Sequence, residues 1–179
     1  DLSVVLEGRK SDKGISRSLS YALASMLPNL REISVSNDWL YFIPGLCPSL
    51  EKITCNRSTG FEVSGFGLRQ AENLKEMHAD DCTFWCRSRS EKARMSDASS
   101  PQSAMFTIFG CCMAALECIS IQNAKWSLFE NGNSAAPIPQ SALIKLARNC
   151  PNLRWFRSDL SPANTAMLRS ERPEIEFSN

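Results

Sequence analysis

The sequence has no clear excess of charge of either sign and no long apolar run. Its 20 basic and 19 acidic side chains give a formal net charge of +1. A duplex nucleic acid or an anionic membrane normally requires a clear basic excess, so this balance argues against both partners. No stretch approaches the roughly 18 apolar residues of a membrane span, and we expect no transmembrane segment. A basic-then-apolar leader is also missing, so we expect a signal or transit peptide to be absent or already removed.

Histidine is nearly absent, which restricts the catalytic chemistry open to the chain. A general base would have to be His78, the single histidine, with Glu76 and Asp80 flanking it at a spacing of two. The pattern places no nucleophile beside it, and it contains no glycine-rich phosphate loop. We therefore predict a non-enzymatic protein with no catalytic residues and no cofactor. Hydrolysis centred on His78 is the enzymatic alternative.

Cysteine is the residue type present in excess, with eight in the chain. Their positions in and around apolar segments suit small buried hydrophobes. A disulfide framework needs an oxidising compartment, for which there is no signal, so reduced cysteines and an intracellular location are favoured. The zinc alternative would use His78, Cys82 and Cys86 with Cys111 and Cys112. Adjacent cysteines are poor ligands because successive side chains diverge, and we expect no metal site.

An internal repeat organises the chain. Each copy has a leucine, here called the anchor leucine, followed three residues later by an apolar residue. The segments are 27–37, 47–57, 71–81, 113–123 and 150–160, with anchor leucines Leu30, Leu50, Leu74, Leu116 and Leu153. In three copies proline stands two residues before the leucine, where it must end a helix because it lacks the N–H donor. Each copy is therefore predicted to turn from a helix into a strand.

Helices are predicted between these strands from apolar residues at helical spacing, over 14–27, 101–115 and 140–149. After the last copy, Ser161 as N-cap, Pro162 at the first helical position and Pro173 as a stop predict another helix.

The two ends of the chain are predicted to be strands. Leu2, Val4 and Leu6 alternate in an opening strand, and Ile175 and Phe177 in a closing one. The opening strand has no polar cap before it, so we expect a fragment or an end that another subunit covers.

The spacing between anchor leucines is uneven, and it is too long for a bare repeat in two places. These intervals predict loop insertions at about 85–103, which is polar and serine-rich, and at about 125–139, which contains turn formers. The whole chain, 1–179, is predicted to be one domain.

The pattern of leucine, two residues, apolar residue, one residue and apolar residue resembles the leucine-rich repeat family. The Cys-Pro-x-Leu openings at Cys47 and Cys150 resemble its cysteine-containing type, often attached to F-box proteins, and the C-terminal part, with ALECISIQNAKW at 115–126, is similar to leucine-rich repeat proteins of diatoms. This resemblance implies an α/β solenoid of about six or seven irregular repeats, with a curved parallel sheet and helices on the convex side.

In that fold the residues between the apolar positions point to solvent on the concave sheet face. The predicted partner-binding residues on this face are Glu32, Lys52, Glu76, His78, Asp80, Gln122, Trp155, Arg157 and Asp159. Trp155 and Arg157 lead this set because exposed tryptophan and arginine dominate binding energetics. The alternative for Trp155 is packing against the terminal helix as part of a cap.

The resulting prediction is a non-enzymatic scaffold that binds a protein partner through its concave sheet. One alternative is the substrate-recognition part of an F-box-type ubiquitin ligase, although no F-box segment precedes residue 30. Another is a structural subunit of a large assembly. Neither the partner nor the compartment is identified by the sequence.

Overall fold

The structure is a computed structural model that describes residues 3–7, 27–36, 47–57, 59–62, 72–85, 114–127 and 135–178. The helices predicted over 14–27 and 101–115, and the insertion predicted at 85–103, lie almost wholly outside these residues. Among the residues described, no helix has the length and apolar character needed to cross a membrane.

The described residues form eleven short strands and two helices. The strands are β1 (Ser3–Glu7), β2 (Glu32–Ser36), β3 (Lys52–Thr54), β4 (Thr59–Glu62), β5 (Glu76–His78), β6 (Thr83–Trp85), β7 (Cys118–Ser120), β8 (Lys125–Ser127), β9 (Ala136–Pro137), β10 (Trp155–Arg157) and β11 (Glu176–Ser178). The helices are α1 (Gln140–Asn149) and α2 (Pro162–Glu171).

Most strands belong to one larger, wholly parallel sheet. Its order across the described strands is β1-β2-β3-β5-β7-β10-β11, which follows the chain. Every neighbouring pair is parallel. Parallel neighbours need a crossover between them, and in the C-terminal part α2 provides the crossover from β10 to β11. The fold is therefore α/β with a mostly parallel sheet.

The register of this sheet brings one buried residue from each of β2, β3, β5, β7, β10 and β11 into a single row. The row consists of Ile33, Ile53, Met77, Ile119, Phe156 and Phe177, which pair in that order. All six side chains are buried, and the rings of Phe156 and Phe177 meet edge to face with centroids 6.2 Å apart. Side chains alternate along a strand. Because each residue of this row is buried, the residues directly before and after it in the strand lie on the opposite face of the sheet.

The anchor leucines form a second buried row just before the strands. Leu30, Leu50, Leu74, Leu116 and Leu153 are each at most 2% exposed. Before two of the strands an asparagine amide links neighbouring copies. Asn73 Nδ2 donates to the Pro48 carbonyl at 2.9 Å, and Asn152 Nδ2 donates to the Ala114 carbonyl at 2.7 Å. Neighbouring copies of the repeat are thus joined by these side chains as well as by the strand pairing of the sheet.

A smaller sheet, which sequence reasoning missed, has strands that alternate along the chain with those of the larger sheet. It contains β4, β6, β8 and β9, with only β9 antiparallel. Each of β4, β6 and β8 follows a strand of the larger sheet after a residue with positive φ, namely Arg57, Asp81 or Asn123. The segment 125–139, predicted to be a loop insertion, therefore begins with β8 and ends next to β9, and Trp126 of β8 is buried.

The two described helices pack on the same core and on each other. Buried Ala142, Leu143, Leu146 and Ala147 line one side of α1, while Thr165 and Leu168 are the buried residues of α2. The side chain of Arg148 makes two hydrogen bonds to the Glu171 carboxylate, at 2.8 and 2.7 Å. Both sets of helical bounds agree with the helices predicted over 140–149 and after Ser161.

Side chains satisfy the backbone groups that remain open at the helix ends. Ser161 accepts the Asn164 N–H at the start of α2, which confirms the predicted N-cap. Gln140 strengthens this start, because its Oε1 accepts the Ser161 N–H and its Nε2 donates to the Asp159 carbonyl. At the other end of α1, Arg172 donates to the carbonyls of Ala147 and Cys150. These hydrogen bonds fix the position of α2 relative to α1.

The described cysteines are thiols, and four of the five are buried. Burial raises the pKa of the Cys150 thiol to about 12, so it stays protonated at neutral pH. The Cys82 thiol donates to the Cys55 carbonyl at 2.7 Å and so satisfies a backbone acceptor of the copy at 47–57. These side chains serve as small core residues.

Replacing Arg57 with glycine should stabilise the protein. Arg57 has φ of 62°, whereas the equivalent turns carry Asp81 and Asn123, which tolerate this conformation better. The left-handed backbone conformation destabilises a residue that has a Cβ by about 1–2 kcal/mol. Glycine removes this strain, but it also makes the unfolded chain more flexible, which offsets part of the stabilisation. We expect the free energy of unfolding to rise by about 0.5–1 kcal/mol for Arg57→Gly in urea denaturation. A decrease would contradict the assigned backbone conformation, and Asn123→Ala, the opposite change at an equivalent turn, should be destabilising.

Replacing Ser158 with alanine should also stabilise the protein. Ser158 is 1% exposed, its hydroxyl has no hydrogen-bond partner among the described residues, and the equivalent position in another copy is Ala79. Removing an unpaired buried hydroxyl should raise the free energy of unfolding by about 1 kcal/mol. Ser120→Ala is the matched control, since Ser120 is equally buried but donates to Asp80 at 2.7 Å. It should be destabilising by about 1 kcal/mol or more; equal effects of the two substitutions would refute the distinction.

Candidate binding face

The side of the larger sheet that faces away from the buried row is here called the outward face. Each of β2, β3, β5, β7, β10 and β11 contributes two residues to it, one on either side of its residue in the buried row, and the register aligns them into two rows. The first row is Glu32, Lys52, Glu76, Cys118, Trp155 and Glu176, and the second is Ser34, Thr54, His78, Ser120, Arg157 and Ser178. Six of the nine predicted partner-binding residues lie in these rows.

The other three predicted residues, Asp80, Gln122 and Asp159, lie just beyond the ends of β5, β7 and β10. They act between strands. Asp80 Oδ1 accepts the Gln122 N–H at 2.7 Å, and Asp159 Oδ2 accepts the N–H of Asn123 at 2.8 Å. The carboxylates therefore satisfy backbone donors where the strands end, and they border the outward face.

A chain of charged groups on the outward face links β3 to the neighbouring strand β5. Lys52 Nζ lies 2.9 Å from Glu76 Oε2, and the same oxygen lies 3.5 Å from His78 Nε2. The hydrogen bond from Lys52 and the charges of Lys52 and His78 lower the pKa of Glu76 despite its partial burial. Because more than a third of the Lys52 and Glu76 side chains is exposed, solvent screening limits the pair to less than about 1 kcal/mol of stability. Its main effect is to keep Glu76 ionised and compensated.

Asp80 is the most heavily bonded side chain at the outward face. Its carboxylate accepts from the Ser120 hydroxyl at 2.7 Å, from the Gln122 N–H and from Arg157 Nη1 at 3.1 Å. Its own N–H donates to Asn56 Oδ1 at 3.0 Å. Only 16% of the Asp80 side chain is exposed. A carboxylate with three donors is firmly held, so Asp80 holds Arg157 in place from two strands away.

Trp155 lies on the outward face with its ring against His78. The ring centroids are 6.1 Å apart and the planes are tilted by 41°. Trp155 belongs to β10 and His78 to β5, with β7 between them, so the indole leans across β7. Both side chains are half-buried, and 27% of the His78 side chain is exposed. The tryptophan thus has a fixed position on the sheet.

Two residues of β7, Ser120 and Cys118, complete this region. Ser120 is only 1% exposed although its register places it on the outward face, between His78 and Arg157. The contacts of Asp80 with Arg157 and of His78 with Trp155 both cross β7, which explains this burial. Ser120 is not among the partner-binding residues predicted from the sequence. The available signal was the size difference between the small residues of β7 and the large residues of its neighbours.

The predicted partner-binding residues include the acidic Glu76 and Asp80 in the middle of the sheet and Trp155 and Arg157 towards its C-terminal end. In the structure Lys52 compensates Glu76, and Arg157 reaches Asp80 across β7. The middle of the face is therefore charge-compensated, while Glu32 and Glu176 near its ends are exposed.

Neither the histidine nor the cysteines form an obvious reactive centre in the described part of the chain. No group of three or more potential metal ligands is found there; Cys82 is fully buried, whereas His78 lies on the outward face. Cys86, Cys111 and Cys112, the other ligands of the zinc alternative, lie outside the described residues. The Ser120 hydroxyl beside His78 donates to Asp80 and not to the imidazole.

No protein-family model matches the chain, and no curated protein matches it.

Replacing Lys52 with glutamine should raise the pKa of Glu76. Lys52 provides the largest influence that lowers this pKa, and His78 provides a smaller one. Because the folded-state pKa is lowered, the stabilisation is present above the unfolded-state pKa and is lost as the pH falls through the folded-state value. Carboxyl-carbon NMR titration of both proteins measures the shift. His78→Gln should give a smaller rise, and an unchanged pKa in Lys52→Gln would contradict the ion pair.

Proposed function

We propose that the chain is a leucine-rich repeat protein whose concave sheet face binds a protein partner, without enzymatic activity. The proposal is supported by the positions of the five repeated segments. Their strands are neighbours in one parallel sheet, and all five anchor leucines are buried. A solenoid of about six or seven such units would present one long uninterrupted sheet face.

The observation that carries the binding proposal is the position of Trp155. Its half-buried ring lies on the outward face against His78, next to the half-buried Arg157. A tryptophan beside an arginine is the composition typical of binding hot spots. Here neighbouring strands already hold both side chains, so a partner would lose little side-chain freedom on ordering them. These are the properties of a preformed protein-binding surface.

The surrounding charges favour a specific partner over a nonspecific one. Glu76 and Asp80 are each matched by a basic side chain of the same face. A face with such compensated charges has little long-range attraction for a polyanion or a polycation, so contact geometry must provide most of the discrimination. Folded proteins and peptides supply that geometry.

Photo-crosslinking tests whether a partner occupies this face. We expect the chain with Gln122 replaced by p-benzoylphenylalanine to form protein adducts in extract from its native source. The matched control carries the same group at Ser170, an exposed residue of α2. Adducts at position 122 but not at position 170 are the expected result. Adducts only at position 170, or equal yields at both positions, would contradict binding through the outward face.

Trp155→Ala should weaken binding of the crosslinked partner by about tenfold or more, the loss typical of a hot-spot residue. Isothermal titration calorimetry with the purified partner measures it. The control is Met167→Ala, which shortens a partly buried side chain of α2 packed on the core and should leave the affinity unchanged. Similar affinities of the original chain and Trp155→Ala would remove Trp155 from the interface.

A further inference from the structure

The two outward-facing side chains of β10, Trp155 and Arg157, lean over β7 towards β5. Trp155 reaches the His78 ring, and Arg157 reaches the Asp80 carboxylate. Both contacts cross β7, where Ser120 is buried and Cys118 is half-buried. The outward face over these three strands is therefore formed by an indole ring and a guanidinium group lying side by side.

The two partners of the Asp80–Arg157 ion pair differ in how many of their hydrogen-bonding groups are already in use. The Asp80 carboxylate already accepts three hydrogen bonds. Arg157 is different: among the described residues only its Nη1 has a partner, and 39% of its side chain is exposed. A guanidinium has five N–H donors in a planar fork, so most of the donor capacity of Arg157 remains for an incoming group.

The nearby acidic groups already have cationic or imidazole neighbours, because Glu76 Oε2 lies 2.9 Å from Lys52 Nζ and 3.5 Å from His78 Nε2. The most available polar group beside Trp155 is thus a donor that favours a carboxylate. The ends of the face have the opposite preference. Glu32 and Glu176 are exposed there, and the pKa of Lys52 on the strand next to Glu32 is raised by its hydrogen bond to Glu76 and further by the charge of Glu32. Exposed carboxylates at these positions disfavour further acidic groups.

We propose that the outward face recognises a peptide segment with a single acidic residue beside an apolar or planar one. The carboxylate binds Arg157, and the neighbouring side chain packs on Trp155. Asp80 acts as a positioning residue that orients the guanidinium without contacting the peptide. The inference rests on the proposed function, since it names the partner chemistry of the same face.

Selection from a phage-displayed library of random peptides on the full chain tests this specificity. We expect recovered peptides to share one Asp or Glu next to an aromatic or aliphatic residue. Replacing that acid with its amide should weaken binding by about tenfold, as expected for a charge-assisted contact of arginine. Calorimetry with the synthetic acid and amide peptides measures this ratio.

The ratio should disappear in Arg157→Gln, because the amide side chain no longer distinguishes the acid from its isostere. Arg157→Lys keeps the charge but loses the planar fork, so a reduced preference for the acid should remain. Asp80→Asn should weaken binding of the acid peptide more than that of the amide peptide. Arg148→Gln, a loss of arginine on α1, is the matched control and should leave both affinities unchanged. Thermal unfolding of each variant checks that the fold is retained, and Arg157→Lys replaces Arg157→Gln if the latter unfolds.

Two negative results separate this inference from the broader proposal. If the selected peptides lose affinity for Trp155→Ala, but their acid and amide forms bind the original chain equally well, the carboxylate specificity is overturned. The use of the outward face for binding would still stand. A selection that yields no peptide sensitive to Trp155→Ala would overturn both the specificity and the use of this face.

Discussion

The buried row at the centre of the larger sheet is the constraint on which the other features depend. Ile33, Ile53, Met77, Ile119 and Phe156 align because each strand pairs in parallel with its neighbour in the same register. A slip of one residue would move an apolar side chain to the outward face and a polar one into the core. With strands of only three to five residues, this cost acts on every strand, so the register is strongly defined.

Polar contacts between the copies act at the two ends of the strands, where the sheet ladder stops. Before the strands, Asn73 and Asn152 donate to turn carbonyls of the preceding copy. After the strands, Asp80 and Asp159 accept backbone N–H groups of their neighbours. Buried or half-buried backbone groups must find partners, and here side chains provide them. The same contacts hold Asp80 where it can orient Arg157.

The outward face follows directly from this arrangement. Since each residue of the buried row points into the core, its neighbours in sequence are aligned on the other side of the sheet. The ring centroids of Trp155 and His78 are therefore 6.1 Å apart, although the two residues are 77 positions apart in the sequence. Long side chains on β10 and small ones on β7 allow contacts that skip a strand. A face on which an indole and a partly bonded guanidinium are held side by side is suited to recognising a partner with little rearrangement.

Local features of the sequence were sufficient to predict the C-terminal helices, the buried anchor leucines and the alternation that places Trp155 and Arg157 on the outward face. These depend on interactions over a few residues: Pro151 following α1, the Ser161 cap, and the apolar spacing after each leucine. The smaller sheet was missed because strands such as Lys125–Ser127 are too short to show alternation and begin after a positive-φ residue.

The pairing of Arg157 with Asp80, and the burial of Ser120 beneath it, depends on which strands are neighbours and on the direction in which side chains lean. Such contacts are set by packing across the sheet, and no periodicity along the chain encodes them.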